Sequence, residues 1–127
     1  MKKTLIALLK KLGLYKKYTD YRFKELERKN QIEDEKNFEP RMKFYSGIIE
    51  KGDLVFDVGA NVGNRVKVFL ALGARVVAVE PQRTCIETLQ KKFGNNINII
   101  GMGLGADETE KDLYIADYST ISSMAED

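Results

Sequence analysis

The sequence predicts an α/β fold, in which a parallel sheet is flanked by helices, over residues 38–127. Three short apolar runs, at 54–58, 75–80 and 96–103, have the length and composition of buried strands. The first two are each followed by apolar residues at helical spacing and then by a glycine. Strands alternating with helices at these lengths predict right-handed crossovers and a sheet of order 3-2-1, the N-terminal half of a doubly wound sheet.

The two crossover helices are predicted from apolar residues spaced three or four apart, each helix ending at a glycine. A further short strand is predicted over 111–116. The helix markers are Val62, Val66, Phe69 and Leu70 before Gly73, and Ile86, Leu89 and Phe93 before Gly94.

Residues 1–37 predict a basic helical arm before the α/β domain. Residues 1–30 carry ten Lys and Arg against three Asp and Glu, whereas the remainder carries eleven against sixteen. Leucines at helical spacing among lysines predict a short basic amphipathic helix, too short to span a bilayer and without a cleavage site. It either packs on the domain or makes weak membrane-surface contact through residues 1–18.

Within this arm, the polar segment 14–37 predicts a loosely held helix or linker. A new helix is predicted to start near Pro40, because proline is tolerated in a first turn. Its apolar face is predicted to pack on the sheet through Phe38, Met42, Tyr45 and Ile49.

Composition excludes several kinds of site. The chain has no histidine, so no His base, His-containing triad or His-ligated metal exists within it. The single cysteine, Cys85, excludes an internal disulfide and is predicted to be a small buried side chain. We see no Cys/His or acidic cluster with metal-ligand spacing, and therefore predict no metal site.

The first predicted strand, the most apolar one, has no partner on its outer side. A doubly wound sheet places a fourth strand there, and no helix or strand pattern after residue 116 supplies it. We therefore expect a chain truncated at its C-terminus and inactive alone, or an edge covered by the arm or a partner chain.

The turn after the first strand carries the candidate chemistry. In "LVFDVGANVGNRVKVF" (54–69), glycines 59 and 63 separate a strand from a helix. Such a turn aims backbone N–H groups, with the positive end of the helix dipole, at an anionic group. Glu80 ends the second strand twenty-one positions after Gly59 and is placed to accept hydrogen bonds from both ribose hydroxyls. The pattern indicates a cofactor that contains adenosine.

The turn's residues favour one adenosine cofactor over others. The run Gly59 to Gly63 lacks the middle glycine of G-x-G-x-x-G, and the chain has no G-x-x-x-x-G-K-[ST]. Asp57 would repel a diphosphate but suits an amino group or a sulfonium. S-adenosylmethionine carries both cations, and a carboxylate for the N–H groups. The alternatives left open are an NAD-type oxidoreductase domain and a non-catalytic nucleotide-binding or structural module.

A family resemblance points the same way. "FDVGANVGN" followed by "VVAVEPQ", with "INIIGMGLGADETEKDLYIAD" and "STISSM" within 41–123, resembles the N-terminal half of FkbM-type class I methyltransferases. The resemblance implies a Rossmann-like fold and S-adenosylmethionine-dependent methyl transfer, commonly to a hydroxyl of a sugar or secondary metabolite. It implies cofactor contacts from Asp57, Gly59, Ala60, Asn61 and Gly63 around the methionine moiety, Glu80 on the ribose, and Pro81, Gln82 and Gly103 near the adenine.

The resemblance assigns no catalytic residue. Tyr114, Asp117 and Tyr118 follow the site in sequence, but no feature selects a base among them. Ser119 and Ser122 lie in a serine stretch that the family shares. We expect a small-molecule or glycan acceptor, no nucleic acid partner, and a cytoplasmic location that is peripheral to the membrane if the arm binds lipid.

Overall fold

The computed structural model describes residues 2–110, 112 and 113, and it confirms a mixed α/β architecture with a three-stranded parallel sheet. Of the strand predicted over 111–116, only residues 112 and 113 are described, and neither is in a strand. The residues singled out between 114 and 122 lie outside the described residues. The elements are α1 (Lys2–Lys11), α2 (Tyr15–Tyr45), β1 (Leu54–Val58), α3 (Asn64–Ala71), β2 (Arg75–Val79), α4 (Arg83–Phe93), a 3₁₀ turn (Gly94–Asn96) and β3 (Ile97–Ile100).

The sheet has the order β1-β2-β3, so β2 lies in the centre. Phe56 of β1 is paired with Val77, and Ala78 of β2 is paired with Ile99. These are the neighbours of the predicted order 3-2-1, counted from the opposite edge. Because all strands are parallel, their carboxyl ends meet at one edge, where Val58, Val79 and Ile100 lie.

By its internal contacts the chain divides into two compact units, Met1–Glu39 and Pro40–Asp127. In the first unit, Lys10 of α1 lies over the ring of Tyr15, with 5.1 Å from the Lys10 ammonium to the ring centroid. The assignment of separate roles to an arm over 1–37 and a domain over 38–127 stays a prediction.

Helix α2 corrects one prediction, because it continues through Pro40 rather than starting there. Proline inside a helix removes one backbone hydrogen bond and costs about 3 kcal/mol. The preceding segment is nevertheless helical, since it is rich in Glu, Lys and Arg, which have high helix propensity. Exposed pairs such as Glu25 with Lys29, 3.4 Å apart, add weak support.

The core lies on one face of the sheet, against α3 and α4. Val76 and Ala78, two residues apart on β2, point to this face, as strand geometry requires. Tyr45 and Ile49 pack against the core, as predicted, and the ring of Tyr45 meets Phe69 edge-on with centroids 4.8 Å apart. The fully or nearly buried members are Ala60, Val66, Phe69, Ala74, Val76, Ala78, Leu89 and Ile97.

Strand β1 corrects a second expectation, that its apolar run forms a buried strand, because only one of its two faces is buried. Leu54, Phe56 and Val58 alternate along one face and are 51%, 58% and 49% exposed. The other face carries Val55 and Asp57, which point toward the core side. An open cleft of about 620 Å³ follows this edge strand. The strand is half-buried because the described helices cover only one of its faces.

Candidate functional site

The turn between β1 and α3 contains three residues with left-handed backbone. Gly59 has φ 71°, Asn61 has φ 51° and Gly63 has φ 86°. Glycine adopts this region without strain, and asparagine is the residue type that tolerates it best after glycine. The predicted turn therefore forms where the sequence places it, at the carboxyl edge of the sheet.

The two glycines of the turn have different surroundings. A Cβ at Gly63 would collide with Cε2 of Phe93 and lie 2.9 Å from Cδ2 of Leu89. Gly63 therefore permits α4 to approach the start of α3. A Cβ at Gly59 would meet no atom of the described residues within 4 Å. The structure thus leaves room for a ligand at Gly59, whereas Gly63 serves packing.

Most N–H groups of the turn bond within the protein rather than toward a ligand position. Gly59 and Ala60 donate to the carbonyl of Val79 at 2.9 and 3.2 Å, and Gly63 donates to Ala60 at 2.9 Å. The expectation that these donors converge on an anionic group is therefore wrong for them. The N–H groups of residues 64–66, in the first turn of α3, have no acceptor within the helix and are the donors left for an anion.

Glu80 joins the turn to the end of β2. Glu80 is only 6% exposed, and its carboxylate accepts hydrogen bonds from the backbone N–H groups of Asn61 and Gln82, both at 2.8 Å. The two oxygens of a carboxylate together accept about four hydrogen bonds. Glu80 therefore holds two loops together and keeps acceptor capacity for a further hydroxyl donor.

Asp57 is the next-to-last residue of β1 and is almost fully buried, at 3% exposure. Arg65 donates to its Oδ1 from Nε at 2.9 Å, and Nη2 of Arg65 lies 2.7 Å from the same oxygen. Oδ2 has no hydrogen-bond partner among the described residues. Burial raises the pKa of the Asp57 carboxyl above its ordinary value; Arg65 lowers it without cancelling that effect, and the charge of Glu80 raises it further.

Arg65 is the site residue that sequence reasoning missed. Besides Asp57, its Nη2 donates to the carbonyl oxygens of Val58 at 3.3 Å and Gly59 at 3.2 Å. A signal was available, because Arg65 lies in the first turn of α3, where the helix dipole disfavours a cation. A basic residue there indicates a nearby acceptor, and Asp57 at the preceding strand end is that acceptor.

The remaining predicted residues lie at the same edge of the sheet. Pro81 is half-buried, and Gln82 is 7% exposed with its Nε2 donating to Thr84 Oγ1 at 3.2 Å. Gly103 is half-buried and follows β3, whose last residue, Ile100, accepts a hydrogen bond from the N–H of Glu80 at 3.0 Å. Direct contacts thus join the turn to the end of β2. Gly103 lies at the same edge of the sheet because it follows β3.

Cys85 is buried in α4, as predicted. Within residues 2–110, 112 and 113, no three or more His, Cys, Asp or Glu side chains are grouped so as to hold a metal ion. Over that same part of the chain, no helix has the length and apolarity needed to cross a bilayer.

No protein-family model and no curated protein matches this chain. The resemblance to FkbM-type methyltransferases therefore depends on the quoted sequence stretches.

Proposed function

We propose that this chain is the S-adenosylmethionine-binding half of a methyltransferase, with the first half of a doubly wound Rossmann-like sheet. The observation that carries the proposal is the convergence at one sheet edge of a buried strand-end carboxylate, a left-handed turn and a second buried carboxylate. Asp57, the turn from Gly59 to Gly63, and Glu80 supply these three parts. Ligands of doubly wound sheets bind at this edge.

In this proposal each part of the site contacts one part of the cofactor. The methionine end lies in the open space beside Gly59, near Asp57. Glu80 accepts hydrogen bonds from the ribose hydroxyls through the carboxylate lone pairs that Asn61 and Gln82 do not use. The adenine lies near Pro81, Gln82 and Gly103. The methyl acceptor is a hydroxyl of a sugar or secondary metabolite.

One contact disfavours the NAD-type alternative. The position of the middle glycine in G-x-G-x-x-G is held by Asn61, whose side-chain Oδ1 accepts a hydrogen bond from the N–H of Val62 at 2.8 Å. That side chain lies over the turn where a pyrophosphate needs bare backbone. Asp57, which is buried beside the turn, adds repulsion if it is ionised.

Isothermal titration of the 127-residue chain with S-adenosylhomocysteine, S-adenosylmethionine and NAD tests the proposal. We expect micromolar binding of the S-adenosyl ligands that is lost in Glu80→Ala and Gly59→Val. Glu87→Ala is the matched control, because the Glu87 side chain is 61% exposed and forms an ion pair with Arg83 on its own helix. Tight NAD binding without S-adenosyl binding would refute the proposal in favour of the oxidoreductase alternative, and binding of neither would favour the non-catalytic module.

A second proposal concerns α1, which we infer makes weak contact with anionic membrane surfaces. Leu5, Leu8 and Leu12 lie three and four residues apart and are 48%, 51% and 59% exposed, with lysines beside them. An exposed apolar stripe with a basic flank suits the interface of an anionic bilayer. Sedimentation with phosphatidylserine vesicles tests this, and unchanged partitioning after deletion of residues 1–18 would contradict it.

A further inference from the structure

Three acceptor oxygens converge on one guanidinium at the end of β1. Nη2 of Arg65 lies 2.7 Å from Oδ1 of Asp57, 3.2 Å from the Gly59 carbonyl and 3.3 Å from the Val58 carbonyl. The Asp57 side chain is 3% exposed, whereas that of Arg65 is 43% exposed. The cluster is therefore closed on the side of the carboxylate and open to solvent on the side of the cation.

A carboxylate with two carbonyl oxygens is an acceptor set that suits an ammonium group, which has three N–H donors. The fourth oxygen, Oδ2 of Asp57, has no partner among the described residues and adds to this capacity. A guanidinium and an ammonium cannot share the set, because two positive charges about 4 Å apart repel each other. Arg65 therefore has to leave before a ligand ammonium enters.

We infer that Arg65 occupies the ammonium position of the S-adenosyl ligand and offsets the affinity that the ligand's amino group would otherwise add. The inference rests on the proposed function, because it assigns the amino end of that ligand to the Asp57 cluster. Binding exchanges one cation for another on the same oxygens. The ammonium contact then adds little net affinity, since an equivalent contact is broken for each one formed.

The exchange involves no covalent step. The guanidinium swings toward solvent, where its half-exposed side chain already has room, and the ammonium takes its three acceptors. Asp57 is paired with a cation both before and after the exchange, so neither end state carries the cost of an unpaired buried charge. Arg65 thus acts as an internal competitor for the amino end and leaves the adenosine end unaffected.

The test compares S-adenosylhomocysteine with its desamino analogue, which differs only in lacking the ammonium group. For the 127-residue wild-type chain, we expect affinities within about threefold of each other, because Arg65 offsets the contact. In Arg65→Met, we expect the amino ligand to bind about tenfold or more tighter than the analogue, as one charge-assisted hydrogen bond allows. Arg83→Met, on an exposed pair, is the control and should retain the wild-type ratio.

Each result decides the inference. A preference of about a hundredfold for the amino ligand in wild type would overturn it, and this measurement needs no variant. An unchanged ratio in a folded Arg65→Met would also overturn it, as would weaker binding of both ligands, which would make Arg65 a carboxylate receptor. If Arg65→Met fails to fold, Arg65→Lys replaces it, because lysine retains the charge but lacks the several N–H groups of the guanidinium. The ratio of the two affinities should then shift less, in the same direction. Binding of neither ligand to any variant would remove the proposed function and this inference with it.

Discussion

The backbone N–H of Asn61 donates a 2.8 Å hydrogen bond to the carboxylate of Glu80, which lies nineteen residues further along the chain. The bond joins the turn after β1 to the end of β2. The same carboxylate accepts from Gln82, so one buried side chain fixes the backbone of two loops. A change at Glu80 therefore alters the site through its architecture as well as through ligand contact.

Glu80→Gln should lower the free energy of unfolding by roughly 1–3 kcal/mol, because an amide N–H₂ would face a backbone N–H and leave a buried donor unsatisfied. Glu87→Gln, on an exposed pair with Arg83, should change it by less than about 0.5 kcal/mol. Urea denaturation followed by far-UV circular dichroism measures both. Equal effects at the two positions would contradict the bridging role of Glu80.

Gly63→Ala should destabilise more than Gly59→Ala. Both positions have positive φ, which costs alanine roughly 1–2 kcal/mol. Only at Gly63 does the added methyl collide with Phe93 and Leu89, which adds roughly 1–3 kcal/mol of overpacking. The double variant Gly63→Ala with Phe93→Ala should recover part of the stability lost through this collision. Strictly additive effects of the two substitutions would show that contact with Phe93 does not cause the loss.

Phe56→Ser should cost less than Val77→Ser, although the two residues are paired on neighbouring strands. Val77 is 8% exposed and Phe56 is 58% exposed. Burying a hydroxyl without a partner costs roughly 1–3 kcal/mol at Val77, whereas an exposed substitution at Phe56 should stay below about 1 kcal/mol. Thermal unfolding of both variants checks the order, and the reverse order would mean that this face of β1 is covered in solution.

Asp57→Asn should change how stability depends on pH. Burial raises the pKa of Asp57 in the folded chain above its ordinary value of 3.8, so the folded state holds this proton more tightly than the unfolded state. The contribution of Asp57 to the free energy of unfolding is then greatest below pH 3.8, falls as pH rises, and levels off above the folded-state pKa. The stability of wild type relative to the variant should therefore fall across that window. A rise would show that pairing with Arg65 outweighs burial.

The sheet was predictable because strand and helix periodicities differ and each crossover ends at a glycine. The positions of Asp57, Gly59 and Glu80 at one edge followed directly from that topology. The start of helix α2 was wrongly placed at Pro40. A proline often marks the first turn of a helix, but flanking residues of high helix propensity can extend the helix past it.

The inner contacts of the site were not predictable in the same way. Spacing alone does not show that the N–H of Gly59 bonds to Val79, or that a Cβ at Gly63 would strike Phe93. These contacts depend on the distance between α4 and the turn, and that distance is set by how the helices pack in the folded chain. Arg65 was also missed, although its position in the first turn of α3 indicated a nearby acceptor.

The edge-on contact between Tyr45 and Phe69 has an optical consequence. The chain has no tryptophan, so its near-ultraviolet absorption comes chiefly from tyrosine. Circular dichroism of a phenol ring grows when the ring is held in a fixed asymmetric surrounding, and Tyr45 is held against a core ring 4.8 Å away. Tyr45, one of six tyrosines in the chain, therefore contributes a near-ultraviolet signal that reports packing beside β1 without any label.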